Sequence, residues 1–194
     1  MPPVIITQPT IEPITVAELK EHLRVETVEE DTLINGLLVA AREQVENWTR
    51  RALMTQTWEY YLDRFPSRNY IVLPFGNLQS VTSVKCKDCY GIESTLTVDT
   101  DYIVEKNGDN HGRLVLPYEG IWPSDVLFPS KPITVKFVCG WATRDAVPVK
   151  IKQAIKLICA ERYENRGESV IGQTVVLNKA AGNLIWSARL WGEF

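Results

Sequence analysis

The spacing of apolar residues changes twice along the chain, and this change restricts the fold more than any other feature. From about residue 15 to about residue 53, apolar side chains recur every three or four positions, as in amphipathic helices. Between about 56 and 140, short runs of β-branched and aromatic residues alternate with polar ones, and helical spacing returns after Pro148. The pattern predicts an α+β fold with a helical core and an inserted antiparallel β region.

Two helices are predicted in the first part of the chain. Thr15 and Glu18 have the spacing of a capping box, and Thr27 and Glu30 repeat it. The first helix should end near Arg24. The second is long, and its apolar stripe contains Leu33, Leu37, Ala41, Val45 and Trp48, with Ile34 and Leu38 beside them. Its opposite, solvent face contains Asn35, Arg42, Glu43, Glu46 and Asn47.

Seven strands are predicted in the middle of the chain, separated by turns rich in Pro, Gly, Asn and Ser. Short strands at close spacing indicate an antiparallel sheet or a small sandwich. The predicted strands are Thr57 to Asp63, Tyr70 to Leu73, Ser80 to Cys86, Thr95 to Val98, Tyr102 to Glu105, Arg113 to Leu116 and Ile133 to Val138.

A third core helix is predicted after Pro148, a residue that suits the first helical position, and it should end around residues 165–167. The chain then divides into four parts. Residues 1–55 form the N-terminal helical part of the core, and 56–140 form the β-rich insertion. Residues 141–166 carry the C-terminal core helix, and 167–194 form an extended C-terminal docking tail.

The charge balance excludes several classes of function. The chain has 21 basic and 24 acidic residues, a net charge of −3, whereas a nucleic-acid coat needs clustered Lys and Arg. The second helix opens with Glu29, Glu30 and Asp31, which argues against a DNA-reading helix-turn-helix. No apolar run is long enough for a membrane helix, and the N-terminus lacks the layout of a signal peptide. We therefore expect synthesis in a cytosol and no membrane partner.

Few residues suggest chemistry, so we expect neither a cofactor nor an enzymatic activity. No nucleophile elbow, phosphate loop or zinc-protease motif is present, and His22 and His111 stand alone. The alternative is a small zinc- or thiol-dependent protein that uses Cys86 and Cys89, whose spacing would supply half of a zinc site. Cys139 and Cys159 lie in apolar runs and should be small core residues.

The C-terminal segment is rich in the residues that anchor protein interfaces. Trp186, Arg189, Trp191 and Phe194 follow one another within nine positions, and Trp and Arg are enriched among interface hot spots. An unattached end of this composition would be an exposed apolar patch. The segment therefore docks either on its own domain or on another subunit.

The ordered set of residues resembles the phage head–tail connector family, also called adaptor or head-completion proteins, in its longer branch with a β insertion. The resemblance extends over nearly the whole chain, but Arg50 stands where a Gly is common and residues 168–183 match poorly. It rests on the runs Ile14 to Val25, Glu30 to Ile34, Ala40 to Glu46, Arg51 to Leu53, Gln56 to Trp58, Leu78 to Val84, Asp101-Tyr102, Gly140-Trp141, Val147 to Ile155 and Tyr163 to Arg166.

The resemblance implies a non-enzymatic virion protein of the neck. Such adaptors form a ring, usually of twelve copies, beneath the portal protein, and the ring extends the DNA channel. They also bind a stopper or tail completion protein. Trp186, Arg189, Trp191 and Phe194 would then bind the portal or a neighbouring subunit, and double-stranded DNA would pass without tight binding. The host cytoplasm would be the place of assembly.

Overall fold

A computed structural model describes residues 2–123, 126–165 and 179–192 of the chain. The described residues form four α-helices and eight β-strands, so the predicted α+β class is confirmed. They fall into two units, one helical and one built of β-strands. The elements in chain order are β1 (Val4–Thr7), α1 (Val16–Leu23), α2 (Asp31–Thr49), β2 (Gln56–Leu62), β3 (Tyr70–Val72), β4 (Leu78–Lys87), β5 (Glu93–Leu96), β6 (Ile103–Glu105), β7 (Arg113–Val115), β8 (Ile133–Cys139), α3 (Val149–Glu164) and α4 (Lys179–Trp186).

The β unit contains the described residues among 1–9, 55–140 and 190–194. Its larger sheet has five antiparallel strands in the order β1-β2-β8-β4-β5, and a second sheet has the order β3-β7-β6. Strand β8 is central, and its side chains alternate strictly between buried and half-buried positions. The seven predicted strands are all present, because period-2 patterning reports which face of a strand is buried.

Strand β1 was not predicted, since the N-terminal part was expected to be helical. Val4–Thr7 pairs with β2, which lies about fifty positions further along the chain, with Val4 opposite Glu59 and Ile5 opposite Trp58. Four residues are too few to show a period, and the pairing partner is distant in sequence. The strand thus joins the N-terminus to the β unit rather than to the helices.

The helical unit contains the described residues of 10–54 and 141–189. Its apolar core comes from all four helices and includes Leu19, Ile34, Leu38, Ile155 and Ile185. The predicted capping box of α1 is confirmed. The backbone N–H of Glu18 donates to Thr15 Oγ1 at 3.1 Å, and the Thr15 backbone N–H donates to Glu18 Oε2 at 2.7 Å.

The second predicted capping box is wrong, because α2 begins at Asp31 and Glu30 is its N-cap without a side-chain cap bond. The Glu30 carboxylate accepts a hydrogen bond from the Tyr163 hydroxyl on α3 instead of turning back to Thr27. Asp31 accepts a bond from Lys20 Nζ at 2.6 Å, which holds the start of α2 against α1.

The assignment of the α2 faces also needs a correction. Arg42 was placed on the solvent face, but its side chain is only 4% exposed, whereas Leu33 at the edge of the predicted stripe is exposed. Glu12 and Glu46 surround the Arg42 guanidinium, and this ion network allows a charged side chain to lie within the helical unit. The buried row of α2 is therefore Ile34, Leu38, Ala41, Arg42 and Val45.

Helix α3 follows Pro148, which is its N-cap, and ends at Glu164, close to the predicted end. Arg166 and Gly167, the remainder of the predicted helix end, lie outside the described residues. Residues 179–186 were predicted as part of an extended tail, but they form α4. The reason is that Ala181 and Ile185 lie one helical turn apart and are both buried in the core of the helical unit. Across the described ranges, no helix combines the length and apolar character needed to cross a bilayer.

Candidate partner-binding site

Helix α4 presents one buried face and one exposed face. Ala181 and Ile185, followed by Ala188 just after the helix, are buried in the helical unit. Trp186 lies on the other side, and its side chain is 61% exposed. The small and aliphatic residues thus fill the core, whereas the large aromatic ring faces outward, and the segment packs on its own unit while still presenting an apolar surface.

Two cations hold the end of α4 in place. The Arg51 Nε donates to the Ala188 carbonyl at 2.6 Å, and the Lys150 Nζ donates to the Ser187 carbonyl at 3.2 Å. Both carbonyls belong to the two residues that follow α4, and positive charge is favoured at the C-terminal end of a helix. The two bonds give the residues that follow Trp186 a defined path.

Arg189 is placed beside Trp186 by this path. Its guanidinium carbon lies 5.8 Å from the centre of the Trp186 ring, within the range of a cation–π contact. The pair combines a flat apolar surface with a positive charge, and it can contact a partner that offers an apolar pocket next to a carboxylate or a carbonyl group. Both residues were predicted from the sequence to bind a partner, and in the structure they lie next to each other.

Trp191 belongs to the β unit. Its side chain is 64% exposed, whereas the preceding Leu190 is buried. A Cβ placed on Gly192 would lie only 3.0 Å from His111 Nε2, so the backbone runs close against the imidazole. The backbone next to Trp191 is therefore packed against His111 while the indole is exposed. Phe194, the fourth predicted anchor, lies outside the described residues.

The residues that fix this segment were not identified as such from the sequence. Arg51 follows α2, and its guanidinium reaches Ala188, which lies 137 positions further along the chain. Lys150 carries no local signal, since its role depends on a contact with Ser187, which lies 37 positions further along the chain.

The cysteines of the alternative hypothesis occupy unlike surroundings. Cys86 is buried in β4, with its Sγ 3.0 Å from Ser94 Oγ, whereas Cys89 is exposed in the turn that follows. In the described part of the chain, no three His, Cys, Asp or Glu side chains come close enough together to hold a metal ion. Burial raises the pKa of the Cys159 thiol to about 12, so this group stays protonated near neutral pH.

Comparison with known protein families gives one match, which covers just under half of the chain. Residues 13–107 match the sequence profile of the phage gp6-like head–tail connector proteins. This range begins just before α1 and extends through β6. No curated protein sequence matches the chain.

Solved structures that share the fold come from gene transfer agent (GTA) particles. A chain in the neck of an empty GTA particle, computed with C6 symmetry, superposes with a TM-score of 0.80 at 23% identity. A chain in the virion of the native GTA particle gives 0.79 at 22%, and one in the native neck, computed with C12 symmetry, gives 0.79 at 20%. Each match covers 100% of this chain and 98% of the other chain.

Identities this low establish the likeness of fold alone, and the sequence profile adds a family match over residues 13–107. The resemblance predicted from the sequence is thus confirmed: residues 13–107 of this chain match the phage gp6-like head–tail connector family, and the whole chain shares the fold of a GTA neck protein.

Proposed function

We propose that this protein is a structural subunit of the neck of a tailed phage or phage-like particle, where it connects the head to the tail. The observation that carries the proposal is the family match, to which the whole-chain likeness to proteins of GTA necks adds support. The subunit forms a ring, with twelve copies as the expected number, beneath the portal protein. The ring also binds a stopper or tail completion protein, and the chain assembles in the host cytoplasm.

The described segment 179–192 supplies the portal-binding surface in this proposal. Trp186 with Arg189, and separately Trp191, are exposed groups of the kind that dominate binding energies when a partner buries them. Phe194 completes the set as a proposed fourth anchor. We propose no catalytic step for any side chain, since the subunit works through shape and through contacts between chains.

The channel through the ring carries double-stranded DNA in this proposal. A net charge of −3 suits passage of DNA, because a strongly cationic surface would retain it through many phosphate contacts. The subunit would therefore show no tight DNA binding at physiological salt.

The test is co-purification of the full chain with the portal protein of the same particle. We expect Trp186→Ser and Trp191→Ser each to weaken attachment by about tenfold or more, as for interface hot spots. Both side chains are largely exposed, so the variants should melt at the same temperature as the parent chain.

The matched control is Tyr118→Ser, which removes an aromatic side chain that is 93% exposed in the β unit. This variant should attach like the parent chain. Attachment that is unchanged in both tryptophan variants would show that the portal-binding surface lies elsewhere.

A further inference from the structure

The five-stranded sheet of the β unit ends in two strands whose outer edges have no backbone partner among the described residues. Val4–Thr7 bonds only to β2, and Glu93–Leu96 bonds only to β4. Both strands contain four residues, and three residues of each are exposed. An open edge of this kind offers a row of backbone donors and acceptors to another strand.

Strand β1 carries none of the charged side chains that usually prevent edge-to-edge pairing, and β5 carries one, Glu93. Residues 2–11 contain no charged residue, and none lies between Glu93 and Asp99. The Glu93 carboxylate is already bonded to Lys85 Nζ at 2.6 Å. An uncharged strand of Val, Ile and Thr such as β1 is well suited to pairing, and the one carboxylate of β5 is already paired with a lysine.

Apolar side chains stand beside both edges. Val4 and Ile6 in β1 are 44% and 45% exposed, and Ile92 and Val98, which flank β5, are exposed as well. Pairing of the two edges would cover apolar surface on both sides and would bring no like charges together. The edges are therefore chemically compatible with each other.

We propose that β1 of one copy pairs with β5 of a second copy, so that the sheets of neighbouring subunits join around the ring. The inference rests on the proposed function, because a ring requires a contact between two different surfaces of the same chain. A second copy is the occupant that fits best, since it satisfies both open edges of every subunit. A strand from another protein would cover one edge and leave the other open.

Cross-linking of the full chain tests the pairing. In a Cys89→Ser background, the double variant Ile6→Cys/Thr95→Cys treated with a short bismaleimide should give a ladder of trimers and larger species. Each single variant should stop at dimers, because a ladder requires both edges. The matched control, Ile6→Cys/Tyr118→Cys, should give no ladder. An equal ladder in the control would overturn the inference.

A second variant tests the same contact without a cross-linking reagent. Lysine on an edge strand opposes pairing, so Ile6→Lys should lower the ring population seen by native mass spectrometry of purified chain or particle necks by about tenfold or more. Tyr118→Lys should leave it unchanged. Ile6 is partly exposed, and circular dichroism should show both variants folded.

The outcomes separate this inference from the proposed function. A ring that forms without a ladder in the Ile6→Cys/Thr95→Cys variant, or one that persists in Ile6→Lys, overturns the edge pairing but leaves the connector function intact. Failure of the parent chain to form any oligomer also overturns the pairing. A ladder from purified chain together with a neck that lacks the protein supports the pairing and contradicts the connector function.

Discussion

Arg42 is held within the helical unit by two carboxylates. Its Nε lies 2.8 Å from Glu12 Oε2, and its Nη1 lies 2.6 Å from Glu46 Oε2. The other oxygen of Glu46 accepts the backbone N–H of Leu53 at 2.8 Å. Burial raises the pKa of Glu12, although the Arg42 charge acts in the opposite direction. The network therefore links residue 12, α2 and the segment after it.

We expect Arg42→Met to destabilise the protein by about 3–5 kcal/mol, because it leaves two carboxylates in the helical unit without their cation. The measurement is the free energy of unfolding from urea denaturation near neutral pH. Arg64→Met, at an exposed loop position, is the control and should change stability by no more than about 0.5 kcal/mol. A loss below about 1 kcal/mol for Arg42→Met would contradict the role of the network.

Glu18 makes the stability of α1 depend on pH. The hydrogen bond from the Thr15 backbone holds the pKa of Glu18 below its usual value of 4.5. Because the folded-state pKa is lowered, the stabilisation is present above about pH 4.5 and is lost as the pH falls through the folded-state pKa.

We expect the parent chain to lose more stability than Glu18→Gln between about pH 6 and about pH 3, since glutamine does not titrate. At about pH 6 the variant should be less stable by roughly 0.5–1 kcal/mol, as for a weakened cap. Urea denaturation at both pH values measures the difference. Equal losses in the two proteins would show that the capping carboxylate does not contribute.

The ends of α1 and α2 share an unusual backbone conformation. Both helices stop at an arginine in the left-handed region, Arg24 with φ 58° and Arg50 with φ 55°. Glycine adopts this conformation without the steric cost that a Cβ imposes. Arg50, which stands where the connector family commonly has Gly, therefore ends α2 at a cost in backbone energy.

We expect Arg50→Gly to stabilise the protein by roughly 0.5–1 kcal/mol, through relief of this cost. Arg50→Ala is the matched control, and it should give no comparable gain because alanine retains the Cβ. Thermal and urea denaturation of the three proteins measure the effect. A destabilising Arg50→Gly would mean that the arginine side chain makes contacts worth more than the backbone relief.

Local patterns predicted the elements that show their own periodicity. The long stripe of α2, the capping box of α1 and the alternation in β8 depend on neighbours within a few positions, so they can be read from the sequence. Strand β1, the burial of Arg42 and helix α4 depend on partners 30 or more positions away. No local pattern reports such contacts.

The sequence predicted which residues belong to the candidate site, but it did not predict how they are arranged. Trp186, Arg189 and Trp191 stood out as interface residues, yet the exposure of Trp186 depends on which face of α4 is buried. Because Ile185 and Ala188 are buried in the core, removal of all residues after Gly182 should destabilise the fold, so single substitutions of the tryptophans are the better probes.

The molecule as a whole combines a helical unit with a β unit, and each presents an exposed tryptophan from the C-terminal segment. In the proposed function the protein holds other chains and lets DNA pass, and the exposed tryptophans and the nearly balanced charge are compatible with both tasks. The proposed contacts between copies and with the portal use different residues, so they can be disturbed separately.

Electron microscopy of the neck in intact particles tests the connector function most directly. We expect density for this chain as a closed ring directly beneath the portal, with Trp186 and Trp191 at contacts with a neighbouring chain and the DNA path along the ring axis. A neck between portal and tail that contains no copy of this chain would contradict the connector function.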